Sequence, residues 1–177
     1  MRFIVCAAVA LAAASCALAQ DSHSHATTKP VTVEFKNAQG HPVGTAVLTS
    51  APQGVRIKLD IKDLPPGDHS MHIHQIAKCD PPDFKTAGPH FSPAMGAGHD
   101  DHAHDSMPAG DIPNFSLIVG ADGTAKITVV APNVTLGADD HSVFSNGGTA
   151  IVIHAASGGA SGAAPARIAC GIINKPE

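Results

Sequence analysis

Apolar and polar residues alternate one by one in short runs along this chain, most cleanly in Val55-Arg-Ile-Lys-Leu-Asp-Ile61. A two-residue period puts every second side chain on one face of an extended strand, so such a run buries one face and wets the other. Residues 31–35 and 45–49 repeat the pattern, and residues 115–119 and 125–130 flank Ala121-Asp-Gly-Thr124, a hairpin with an Asp-Gly turn. Segments 70–76, 149–154 and 168–173 bring the expected strands to eight. No segment has helical periodicity, and 17 Gly and 14 Pro punctuate the runs. An antiparallel sandwich or flattened barrel is predicted. Residues 77–113 and 131–148 are too long for tight turns, and long loops in compact domains are usually functional.

The first 19 residues read as a cleavable secretory signal: Met-Arg, an apolar alanine-rich stretch from Phe3, and the small-x-small site Ala17-Leu18-Ala19. Ala13-Ala-Ser-Cys16 also resembles a lipoprotein cleavage box, without the usual leucine three positions before the cysteine, which leaves lipid anchoring through Cys16 as a lesser alternative. The chain is therefore expected to be periplasmic or secreted, with no membrane-spanning segment after the signal. Polar residues 20–30, with His23 and His25, are predicted to form a flexible segment ahead of one domain over 31–177. A net charge of −4 and the absence of any basic stripe argue against a nucleic-acid partner. Only Cys79 and Cys170 outlast signal removal, and an exported chain with two cysteines usually pairs them.

His72 and His74 lie one residue apart, so in a strand both rings project from the same face while Ile73 packs behind. Taken alone, His-x-His can equally be two surface or packed histidines. Two further histidines change the argument: His90, in Gly-Pro-His-Phe-Ser-Pro, and His154, which ends an apolar run. A four-imidazole site suits copper, zinc, iron or nickel rather than calcium or magnesium.

Five segments, in order, resemble the copper/zinc superoxide dismutase family. They are Leu64-Pro-Pro-Gly-Asp-His-Ser-Met-His72-Ile-His74, Gly88-Pro-His90-Phe-Ser-Pro93, Ala109-Gly-Asp111-Ile-Pro-Asn114, Ala150-Ile-Val-Ile-His154 and Arg167-Ile-Ala-Cys170-Gly-Ile-Ile173. The resemblance covers about residues 30–174. It implies a Greek-key eight-stranded barrel with long metal-site loops, and an enzyme that converts superoxide to oxygen and hydrogen peroxide by copper redox cycling. It implies His72, His74, His90 and His154 as copper ligands, with His90 as the catalytic bridging histidine toward zinc. It also implies Arg167 as the arginine that attracts superoxide, and a Cys79–Cys170 disulfide tethering the metal loop to the last strand.

Two departures concern zinc. His90, His99 and Asp111 match three of the family's zinc ligands, but the fourth position is Pro108, which has no ligating side chain. His102 or His104, in His99-Asp-Asp-His-Ala-His-Asp105, can replace it, or that tract can simply be an exposed histidine run that collects metal weakly. Residues 155–166 also lack the carboxylate that links the two metal sites in the family. These losses resemble the copper-only branch, so the expectation is a copper enzyme with weak, altered or absent zinc. Without zinc, the far nitrogen of His90 still needs a partner, which Asp111 or an ordered water can supply. A non-enzymatic copper carrier on the same fold is the alternative, but all four histidines and Arg167 are retained. A purely structural domain needs no converging imidazoles. His41, His69 and His141 have no motif support and are expected at the surface; the sequence does not set the oligomeric state.

Overall fold

The computed structural model describes residues 29–93, 107–155 and 165–176. Nine strands follow in chain order: β1 Val31–Asn37, β2 Pro42–Ala51, β3 Gly54–Ile61, β4 Gly67–His69, β5 Met71–His74, β6 Leu117–Val119, β7 Ala125–Ala131, β8 Thr149–His154 and β9 Arg167–Ile173. Seven form one antiparallel sheet in the order β5-β8-β9-β1-β2-β3-β7, while β4 pairs with β6. Only Ser70 separates β4 from β5, and the Asp-Gly hairpin joins β6 to β7, with Gly120 N–H donating to Thr124 O. The small pair thereby connects the two edges of the large sheet, which curls into a barrel. Neighbours such as β5 and β8, or β9 and β1, are far apart in sequence, as a Greek-key order requires.

The expected eight strands become nine because the pairing changes at Ser70. Asp68 on one side faces Ile118, and His72 on the other faces Val152.

On β3, Val55, Ile57, Leu59 and Ile61 are buried while Arg56, Lys58 and Asp60 are exposed, as the alternation predicts. Val31, Val33 and Phe35 do the same on β1. Each such side chain contributes about 1.5–3 kcal/mol when fully buried. Strand β8 departs from alternation, with all six residues buried. Its Ile151 and Ile153 enter the barrel core, while Ala150 and Val152 pack outward on Phe84, Ala87 and Cys170. A continuous apolar run is what a strand covered on both faces needs.

That outer cover comes from the loop after β5. Cys79 and Cys170 form a disulfide with Cα atoms 5.6 Å apart, fixing the loop to β9. A 3-10 turn at Lys85–Ala87 then carries the chain back toward the histidines. Among the described residues, no helix is long and apolar enough to cross a membrane.

Candidate metal centre

Strand β5 sends Met71 and Ile73 into the barrel core, which leaves His72 and His74 on the outer face. Residues 87–91 run beside them: Ile76 N–H donates to Ala87 O, Gln75 N–H to Pro89 O, and Phe91 N–H to Ile73 O. This pairing sets His90 opposite His74. A register shift between Ile153 and His154 breaks the regular β8–β9 ladder and places His154 opposite Arg167. His154 N–H also donates to Ser70 O, at the break between β4 and β5.

Four imidazoles meet as a result. One ring nitrogen from each of His72, His74, His90 and His154 lies within 4.8 Å of the others, the one such group of His, Cys, Asp or Glu among the described residues. The rings of His72 and His90 stack at 4.2 Å, and His74 meets His90 edge-on at 4.8 Å.

Hydrogen bonds on the far side of three rings decide which nitrogen faces inward. His74 Nδ1–H donates to Gly88 O (2.9 Å), His154 Nδ1–H to Pro165 O (3.2 Å), and His90 Nδ1–H to Asp111 Oδ1 (2.5 Å). Each arrangement leaves Nε2 with a bare lone pair, the device that orients metal-ligating histidines. His74 Nε2 and His154 Nε2 lie 3.4 Å apart. His72 is the exception: its Nδ1 is buried and has no hydrogen-bond partner. A buried orphan nitrogen is costly unless something else binds it.

The electrostatics agree. Burial, helped by His90 and His154, holds His72 down at about 3. His74 is likewise lowered to about 3, chiefly by burial, against the opposing pull of its bond to Gly88 O. Burial also lowers His154. These rings stay neutral at ordinary pH, and neutral imidazole is the form that binds metal. Four converging imidazole nitrogens, one of them on a ring whose Nδ1 has no other partner, fit a borderline ion such as copper.

Asp111 stands against the outward side of His90 because three backbone segments interlock. Ile73 N–H donates to Gly110 O, and Gly110 N–H donates to Phe91 O. A side chain at 110 would put its Cβ 2.1 Å from Ile73 O, so only glycine fits there. Pro108 O accepts from Asp111 N–H, so position 108 acts as a turn. His99, His102 and His104 lie outside the described residues, as do His23, His25 and Cys16.

Arg167 closes the other side. Its Nη1 donates to Phe84 O (2.7 Å) and its Nη2 to Gly88 O (2.9 Å). Gly88 O therefore accepts from both a cluster histidine and the arginine. Sequence reasoning missed this carbonyl, because no side chain marks it. It also misplaced His69: His41 and His141 are exposed, but His69 is buried at 2%. The His69 ring bridges two carbonyls, with Nδ1 2.8 Å from His154 O and Nε2 2.7 Å from Pro65 O. It braces the backbone of a cluster residue from below. His69→Ala is expected to lower stability by about 1–3 kcal/mol, the cost of stranding buried polar groups, measured by urea unfolding. An unchanged midpoint would remove His69 from this account.

Comparison with known proteins follows the same lines. The family model described as copper/zinc superoxide dismutase (SODC) matches residues 42–173. The Cu-Zn superoxide dismutase 1 of Aquifex aeolicus is 37% identical over 168 residues, covering 90% of this chain and 92% of that one. That of Caulobacter vibrioides is 37% identical over 148 residues, covering 80% and 84%. A solved structure of a superoxide-dismutase-like protein from Bacillus subtilis superposes with TM-score 0.68 at 31% identity, covering 80% of this chain and 97% of that one. The matched span holds all four converging histidines, Arg167 and both bridged cysteines, and the chain belongs to the copper/zinc superoxide dismutase family.

Proposed function

We propose that this superoxide dismutase holds its copper through His72 Nδ1 and through Nε2 of His74, His90 and His154. The buried, partnerless His72 Nδ1 carries the assignment, because its ring offers a nitrogen within 4.8 Å of those of His74, His90 and His154, three rings whose Nδ1 is hydrogen-bonded elsewhere. Bound there, copper supplies a one-electron couple that oxidises one superoxide to dioxygen and reduces a second, with two protons, to hydrogen peroxide.

The rest is done by the chain. Arg167, held by two carbonyls, presents a fixed positive charge beside the ligands and draws the anion inward. Burial pulls the Arg167 guanidinium below its usual value, against the opposing influence of Asp83. His90, steadied by Asp111 on its outer nitrogen, is the ring placed to hold and release a proton at Nε2 whenever that nitrogen is not bound to metal. Arg167→Ala should lower kcat/KM by about 10-fold while copper content stays the same. Equal second-order rates in the variant and the parent would dismiss that role.

Copper alone is expected to support most of the activity. Asp111 already occupies the outward nitrogen of His90, Pro108 offers no ligand, and residues 155–166 contain no carboxylate. The check is to reconstitute the metal-free protein with copper only and with copper plus zinc, then compare activity and Tm. A large zinc-dependent gain in both would overturn the reading and point to His99 with His102 or His104 as a rebuilt site. We read residues 1–19 as an export signal, 20–30 as a separate histidine-bearing segment and 31–177 as the catalytic domain. The periplasm or exterior is the compartment in which the Cys79–Cys170 bond persists.

A further inference from the structure

Asp83-Phe84-Lys85 sets two opposite charges on either side of a buried ring. Phe84 is 1% exposed beneath β8 and takes φ 53, while the flanking side chains face solvent, Lys85 at 82% and Asp83 at 53%. Their charges meet, with Lys85 Nζ 2.8 Å from Asp83 Oδ2. Arg167 lies across the same stretch, donating to Phe84 O between the two charged residues and to Gly88 O beyond them. Asp83 is near enough for its charge to act on the guanidinium. In the sequence, residues 155–166 contain no charged side chain.

We propose that Asp83 and Lys85 set how fast superoxide reaches Arg167, Lys85 adding to the attraction and Asp83 holding it below its maximum. The proposal rests on Arg167 being the cation that meets the anion. A chain of net charge −4 repels superoxide at long range, so the approach depends on local charges within about a Debye length, roughly 10 Å at 0.1 M salt. An exposed pair of this kind contributes little to stability, so its charges can be changed without harming the fold. Asp83→Asn is well suited, because its amide oxygen can still accept from Lys85 N–H as Asp83 Oδ1 does now (3.2 Å).

The experiment compares copper-loaded parent, Asp83→Asn, Lys85→Gln and the double variant by pulse radiolysis across ionic strength. At about 10 mM salt Asp83→Asn should be about two- to threefold faster, Lys85→Gln slower by a similar factor, and the double variant close to the parent. All four should converge at high salt. Azide affinity, read from the copper's visible spectrum, should rank the variants in the same order. Single variants indistinguishable from the parent, or differences that persist at high salt, would overturn the proposal. Arg167→Ala serves as the reference: if it is also indistinguishable, the reading of Arg167 fails, whereas a slow Arg167→Ala beside inert Asp83 and Lys85 variants sinks the present proposal alone.

Discussion

His72→Ala and His154→Ala are each expected to abolish superoxide dismutation together with stoichiometric copper binding. Each removes one of four converging nitrogens, and the two differ in how the chain supports them. His72 brings a buried nitrogen with no other partner, so it has no competing role to fall back on. His154 sits at the register shift facing Arg167, held by Ser70 O and by its own bond to Pro165 O. Losing even a supporting partner of a metal ligand costs about 10- to 100-fold in affinity or activity, and losing the ligand itself should exceed that. Neither change opens the barrel core, because both rings lie outside it. The variants should therefore fold, which circular dichroism checks, while metal analysis and a superoxide assay read the loss. Full copper retention in both would sink the ligand assignment.

Cys79→Ser/Cys170→Ser should cost the protein about 4–5 kcal/mol, since the bond joins residues 91 apart and closing so long a loop removes much freedom from the unfolded chain. A second effect follows from what the bridged loop carries. Phe84 and Ala87 pack with Cys170 on the outer face of β8, and the carbonyls of Phe84 and Gly88 hold Arg167 and His74. Loosening that loop should slow turnover beyond any loss of folded protein. Urea unfolding measures the first effect, and kcat/KM of copper-loaded, folded protein measures the second. An unchanged midpoint would contradict the stabilising role. Unchanged kcat/KM would show that Phe84 and Val152 hold the loop unaided.

Much of this architecture is legible along the chain. The two-residue period of 55–61 foretells which side chains of β3 are buried, and the same period puts His72 and His74 on one face. The two cysteines beyond residue 19 foretell the bridge, and the run at 149–154 foretells a strand. These are local properties, set by backbone geometry and by which side chains avoid water. Other features exist only in the folded chain. The split of the histidine strand at Ser70, the shift that turns His154 toward Arg167 and the burial of His69 all depend on segments far apart in sequence. The shared acceptor at Gly88 is of the same kind, whereas the sequence leaves Asp111 open as a partner for His90 beside an ordered water, and the fold decides for the carboxylate. A carbonyl oxygen is identical in every residue and a lone histidine is the same inside or out, so their roles are decided by what the barrel and its bridged loop bring within hydrogen-bond reach.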